Sequence, residues 1–258
     1  MKDFKEHFWM LQKKLKTGEP FAFCRYSDGE MIVMQNKQLI LSADETTVDG
    51  KKAGATYDKA DHKEFDPKRH KKFHTDLIRA YQHHQDNYFV GLSCPCCVGK
   101  ENNEWMKELR GGDDDHLTWS NLLVNSNYPL FLQHMLPLLK DKKVVIVCNE
   151  AADLSDLPFE VMEDFRIGSN AMINDIDLIW QMDEYIEDLE YDNCVFLFAA
   201  ASLSNLLIHK LYSSHSQHTY IDIGTTLNPH MKLPVARNYL KGYWNNSGNT
   251  EIHKVCVW

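Results

Sequence analysis

The sequence predicts an α/β fold, a Rossmann-like and mostly parallel sheet with helices on both faces. Three observations carry this. Uninterrupted apolar runs, PFAFCRY (20–26), YFVGLS (88–93), KKVVIVCN (142–149) and CVFLFAA (194–200), have the composition of strands buried on both faces. Longer amphipathic stretches alternate with them, the pattern of strand–helix–strand units. Polar residues gather where the runs stop, at Arg25-Tyr26-Ser27-Asp28-Gly29-Glu30, at Cys148-Asn149-Glu150 and at Asp222-Ile223-Gly224-Thr225. In open parallel sheets, ligands sit beyond the carboxyl ends of the strands.

In chain order, Phe4, Phe8, Leu11 and Leu15 recur at helical spacing, and Gly18 with Pro20 closes an N-terminal helix within 1–20. The strand PFAFCRY ends at Ser27, and a second apolar stretch, MIVMQNKQLIL (31–41), follows. Residues 44–66 are polar without a period, which predicts a flexible loop. Residues 67–84 read as a charged helix and 88–93 as a strand. Residues 94–118 are loop-rich, with a weak helix near Trp105. WSNLLVN (119–125) reads as a strand and Tyr128 to Leu139 as a helix. KKVVIVCN is the clearest buried strand, and 165–170, 194–200 and 219–224 are further strands. Ala171 to Leu189 and Ser204 to Tyr212 read as helices between them. There is no internal repeat and no Pro/Ser-rich linker, so residues 1–258 are expected to form a single domain. Its aromatic, Asn-rich tail from Pro229 (229–258) is expected to wrap the surface.

Composition narrows the function. The chain has 258 residues, of which 43% are hydrophobic, which excludes collagen-like and wholly disordered classes. Acidic residues outnumber basic ones 37 to 28, and the net charge of −9 argues against a non-specific nucleic-acid binder. A small anionic substrate in a basic or metal-bearing pocket remains compatible with that charge. Seven cysteines, an odd number with several inside apolar runs, fit a reducing compartment better than a disulfide framework. The amphipathic, charged N-terminus is not a signal peptide, and no window reaches the ~18 apolar residues of a membrane span. A cytoplasmic location without a membrane span is expected.

The first polar strand end is the most informative. Asp28 and Glu30 are two residues apart, so an extended segment would point both carboxylates to one side. Such a pair of hard oxygen ligands suits Mg²⁺ or Mn²⁺, with substrate phosphates completing the shell and Arg25 facing the same phosphates. The same residues also match a capping box, Ser27-x-x-Glu30, which would start the next helix. Both readings stand on the pattern alone. Other motifs are weaker. Asp113-Asp114-Asp115 follows two glycines and reads as a solvated loop. Asp175-Ile176-Asp177 lies in a predicted helix, where residues two apart do not share a face. Cys94-Pro95-Cys96-Cys97 lacks the paired spacing of a structural zinc site, even with His116 nearby, and reads as loop and core thiols. His70 and His74 read as a solvated helix face. Trp105, Trp119 and Tyr128 read as core aromatics. No P-loop or dinucleotide-binding glycine pattern is present.

FAFCRYSDGEM (21–31) resembles the R-[FY]-x-D-G-E stretch of the GT-D fold glycosyltransferases, a family with bacterial adhesin-modifying, phage and large-virus members. FRIGSNAMINDIDLIW (165–180) resembles the family's R-I-x-x-x-N-A segment. Residues 194–224 resemble its strand, small-residue loop, helix and strand ending in D-I-G, and WSNLLVNSNY (119–128) is similar to phage members. These stretches cover about half the chain. The resemblance implies a metal-dependent hexosyltransferase moving a sugar from a nucleoside-diphosphate sugar, a UDP-sugar first, to a glycan or glycoprotein acceptor. Asp28 and Glu30 would hold Mn²⁺ or Mg²⁺ against the diphosphate. Arg25, Tyr26, Ser27, Asn170, Ala201 and Ser202 would line the donor site, and Asp222 is the D-I-G aspartate. Asp222 and Glu150 are the candidate general bases by their strand-end positions. Two departures stand out. Ala199-Ala200-Ala201-Ser202 replaces a loop that often reads L-G-P-x-A, and Thr225 replaces a frequent histidine. A Rossmann-like S-adenosylmethionine-dependent methyltransferase and a non-catalytic nucleotide- or sugar-binding module are the alternative readings of the same fold.

Overall fold

A computed structural model describes residues 4–42, 44–53 and 62–245. Helix α1 (Phe4–Thr17) buries Phe8, Leu11 and Leu15 on one stripe. Strand β1 (Ala22–Tyr26) runs into α2 (Asp28–Met34). Four short strands follow, β2 (Leu39–Leu41), β3 (Thr46–Val48), β4 (Lys51–Lys52) and β5 (Lys63–Phe65). Then come α3 (Lys71–Gln82), β6 (Tyr88–Leu92), α4 (Pro95–Val98), α5 (Lys100–Arg110), β7 (Leu117–Trp119) and the three-residue α6 (Tyr128–Leu130). The rest of the chain contributes β8 (Val144–Asn149), β9 (Val161–Ile167), α7 (Ala171–Asn174), α8 (Leu178–Glu187), β10 (Val195–Phe198), α9 (Ser202–Ser214), β11 (Thr219–Asp222) and α10 (Asn238–Asn245).

Seven strands form one sheet in the order β7-β6-β1-β11-β10-β8-β9, with every pairing parallel. Side chains alternate across it, as strand geometry requires. Ala22, Cys24 and Tyr26 join one core cluster with Leu203, Leu207 and Leu211 of α9. Phe21 and Phe23 join the other, with Phe8, Leu11 and Leu15 of α1. Phe196 and Phe198 likewise go one way while Val195 and Leu197 go the other. Both faces are therefore covered, which explains why these strands are apolar at consecutive positions. Gly91 in β6 matters here, because a Cβ would lie 2.9 Å from Ser120 Cα, where the chain leaves β7.

Several local expectations are corrected. Residues 44–66 are not simply a loop. β3 and β5 pair with β2, and β4 with β3, in an antiparallel sheet ordered β4-β3-β2-β5, built by strands of two or three residues too short to show a period. Residues 54–61 of that stretch lie outside the described residues. WSNLLVN is a strand only through Trp119, and Leu122 to Val124 are buried without strand pairing. Residues 128–141 form α6, then a π-helical turn (Phe131–Met135) and a 3₁₀ turn (Leu136–Asp141), with Pro129 and Pro137 interrupting a regular α-helical ladder. The helix expected over 171–189 is broken in two, where the Asp175 carboxylate accepts a hydrogen bond from Gly168 N–H (2.9 Å). Of the tail, α10 packs Tyr239 and Leu240 into the core, while 246–258 lie outside the described residues. Among the described residues, no helix is long and apolar enough to cross a membrane.

Candidate active site

A cavity of about 1000 Å³ opens at the carboxyl ends of the parallel strands. In this sheet the chain runs from β1 outward to β6 and β7 on one side, while β11 on its other side is reached last, from β10, so the strand order reverses between β1 and β11. That is the topological switch point where such sheets bind ligands. The small antiparallel sheet forms one wall and the segment around Arg237 to Gly242 another. Four cationic residues, Arg25, Lys63, Arg237 and Lys241, share the lining with three acids, Asp28, Glu30 and Asp222.

Arg25 follows from strand parity. Its neighbours Cys24 and Tyr26 point into the core beneath α9, and Arg25 leaves the sheet on the other side, at its end. Its Nε donates to Ser120 O (2.5 Å), and Nη1 lies 3.7 Å from Asp222 Oδ1. Gly224 makes room for it. A Cβ at 224 would overlap Arg25 Nη1, and Gly224 has φ +51. Gly224→Ala should therefore destabilise the fold by about 1–3 kcal/mol. Gly50→Ala, at φ +73 with nothing within 4 Å of the added atom, is the control for the dihedral alone. Urea unfolding of both variants separates the two effects, and equal losses would mean that Arg25 yields freely.

Asp222 ends β11 and is 6% exposed. It accepts a hydrogen bond from Gly224 N–H (2.9 Å). Burial pushes its carboxyl up, and the charge of Glu30 adds to the effect. The Arg25 guanidinium opposes both, and the balance leaves Asp222 at about 6.

Glu30 has a different environment. Ser27 caps α2 and Glu30 is its third residue, so the capping box forms, and Ser27 N–H donates to Glu30 Oε2 (3.0 Å). On Oε1, Glu30 accepts from the Ser202 hydroxyl (2.5 Å) and meets the Lys63 ammonium at 3.3 Å. Burial alone would raise the Glu30 carboxyl. Lys63, Ser202 and backbone N–H groups outweigh it and hold the carboxyl at about 2. Asp28 opens the same helix, exposed, on the cavity wall, with Oδ1 accepting from Gly29 N–H (3.0 Å). The segment is thus helical where the pairing argument assumed it extended, so Asp28 and Glu30 do not point to one side.

The remaining sequence candidates divide. Ser27 and Ala201 line the cavity. Ala201 has φ +50 and ψ −137, a conformation that favours glycine. Ser202 is buried against Glu30 and does not line the cavity. Tyr26 is a core residue, edge-on to Tyr81 at 4.7 Å. Asn170 is spent on β5. Its Oδ1 accepts from Glu64 N–H (2.9 Å) and its Nδ2 donates to Glu64 O (3.3 Å), which clamps the small sheet to the α7 end of the parallel one. Glu150 is exposed outside the cavity, and Asn149 lines it instead. Lys63 was missed by the sequence reading, since a lysine in a polar stretch without a period gives no signal.

No protein-family model and no curated protein matches this chain. Solved structures do. One, described as domain of unknown function 1792 with a distinct glycosyltransferase fold, aligns over 84% of this chain and 76% of its own at 16% identity, with a TM-score of 0.54. A second, described as a new glycosyltransferase (DUF1792) from Streptococcus sanguinis, aligns over 87% and 81% at 14% identity, with a TM-score of 0.55. This chain shares their fold. A selenomethionine-substituted DUF1792 domain gives the same picture, at 16% identity and a TM-score of 0.53. The Rossmann-like α/β architecture expected from the sequence is thus matched by domains of that fold.

Proposed function

We propose that this protein is a glycosyltransferase that moves a sugar from a nucleoside-diphosphate sugar, a UDP-sugar first, to a hydroxyl of a glycan or glycoprotein. The observation that carries the reading is the switch-point cavity. Three distant segments bring Arg25 and Asp28, Lys63, and Asp222 to it, on a fold shared with described glycosyltransferase domains. The cationic lining suits a diphosphate. Arg25, held at Nε by Ser120 O, offers its remaining guanidinium N–H groups to the phosphate oxygens.

The donor set fits a divalent ion through Asp28, a hard oxygen ligand on the exposed first turn of α2. Glu30 already accepts hydrogen bonds on both oxygens and shares its charge with Lys63, so its part is to fix that turn and the lysine beside it. A bound Mn²⁺ or Mg²⁺ would supply charge stabilisation at the departing diphosphate. Asp222 is the base. The acceptor oxygen bonds to the anomeric carbon, the bond from that carbon to the diphosphate breaks, and the hydroxyl proton passes to Asp222.

Thermal unfolding against UDP-, GDP- and dTDP-sugars, with Mn²⁺ or with EDTA, tests this. One donor should raise the midpoint in a metal-dependent way, corresponding to about 2.7 kcal/mol at a hundred times its dissociation constant. Asp28→Asn should lose the metal-dependent part. A shift with S-adenosylmethionine and none with any donor would overturn the reading in favour of a methyltransferase. A donor shift without turnover on any acceptor would leave a binding module.

A further inference from the structure

Cys94, Cys96 and Cys97 lie just past the carboxyl end of β6, and nothing in the transferase reading uses them. All three are thiols in the structure, Cys94 buried, Cys96 and Cys97 exposed. Their sulfurs all lie within 4.8 Å of one another, and Cys94 Sγ and Cys96 Sγ are 2.8 Å apart. Among the described residues, this is the one group of three or more Cys, His, Asp or Glu side chains gathered so closely.

Local geometry explains the convergence. Cys94 is extended (φ −74, ψ 158) and caps the single turn α4. Its carbonyl accepts from Cys97 N–H (3.0 Å) and Val98 N–H (3.2 Å), folding the chain back over it. Pro95 fixes φ at the start of the turn, and Gly99, at φ +82, ends it. A structural zinc site usually draws on two separated cysteine pairs, whereas here one tight turn gathers three neighbouring sulfurs.

We propose that Cys94, Cys96 and Cys97 bind one zinc-class ion as thiolates, with water in the fourth position. Zinc–sulfur bonds of ~2.3 Å in tetrahedral geometry place sulfurs ~3.8 Å apart. Cys96 and Cys97 are exposed, so theirs are the side chains that would adjust to that spacing around buried Cys94. Three soft sulfur donors select a borderline-soft cation over Mg²⁺ or Mn²⁺, so this site is chemically distinct from the carboxylate at Asp28. Binding replaces three S–H protons by the metal, and those protons go to solvent. Cys97 also lines the cavity, which places the ion at its wall. A disulfide between Cys94 and Cys96 would use two sulfurs and leave the third without a role.

The test uses the full chain, reduced and freed of metal, titrated with Co²⁺ as a spectroscopic probe. One equivalent should give the thiolate-to-cobalt charge-transfer band and the intense visible bands of a tetrahedral site, and Zn²⁺ should bleach both. Zn²⁺ should also protect three thiols from alkylation, mapped by mass spectrometry to residues 94, 96 and 97. Cys96→Ser and Cys97→Ser, both at exposed positions, should each weaken Zn²⁺ binding at least about tenfold while unfolding as the parent does. Asp28→Asn should leave the cobalt spectrum unchanged. Absence of the charge-transfer band, or unchanged affinity in both serine variants, would overturn the proposal. So would a product two hydrogens lighter, with Cys94 joined to Cys96, forming with glutathione disulfide in the presence of Zn²⁺.

Discussion

Glu30→Ala is expected to lower the unfolding free energy by about 3–5 kcal/mol, because it leaves a half-buried ammonium without its counter-charge. Lys63 would lose its partner at 3.3 Å, the Ser202 hydroxyl its acceptor and Ser27 N–H its cap. The pH dependence agrees in sign. The Glu30 carboxyl falls from its ordinary 4.5 to about 2 in the folded protein, equivalent to about 3 kcal/mol favouring the ionised form. That stabilisation is complete above pH 4.5 and is lost as the pH falls toward 2. Glu30→Gln keeps an acceptor oxygen for Ser27 N–H, can donate its amide N–H to the Ser202 hydroxyl and loses the ion pair, so it should cost less. Urea midpoints at pH 7 for Glu30→Ala, Glu30→Gln and Lys63→Met, with the Glu30→Gln/Lys63→Met double variant, isolate the pair. Additive losses in the double variant would show that Glu30 acts only as a cap.

Asp222→Asn should reduce kcat about 10²–10⁴-fold, the usual worth of a positioned base. The wild-type rate should rise with pH through about 6 and level off above it, as the buried carboxyl ionises. The variant should lose that rise. Stability should behave in the opposite way. A raised carboxyl favours folding below its unfolded value of 3.8, and that contribution is lost as the pH climbs through about 6. At pH 7.5 the asparagine variant, which still offers Oδ1 to Gly224 N–H, should unfold no more easily than the parent, even while nearly inactive. A variant destabilised and inactivated in parallel would reduce Asp222 to a structural partner of Arg25. A flat wild-type profile between pH 5 and 8 would also remove it as the base.

The large sheet was legible because burial on both faces leaves no room for polar residues. VVIVC within β8 and VFLF in β10 show this directly. The small sheet was not, because three-residue strands such as Thr46–Val48 and Lys63–Phe65 carry too few side chains for a pattern. Lys63 was hidden with it, although it stands against Glu30. Ala22, Cys24 and Tyr26 alternate into one core, which places Tyr26 away from Arg25 and its cavity. Asn170 illustrates the opposite limit, since its positive φ of 53 and its bonds to Glu64 depend on a segment over a hundred residues away. Glu30 was ambiguous between ligand and cap. The ambiguity was real, because the carboxylate that completes the capping box of α2 also lines the cavity.

Strand β1 is an interior strand of the large sheet, and Ala22 pairs with Tyr220 and Phe23 with Ile221. A ribosome therefore makes β1 roughly two hundred residues before the strand that covers one of its edges. Until residue 222 has emerged, β1 presents an unpaired backbone edge flanked by phenylalanines, a template for mispairing. Closing that edge also demands contacts of large sequence separation, the slow kind to form. Shelter by a chaperone during synthesis, and slow refolding from denaturant, are what this strand order asks of the protein.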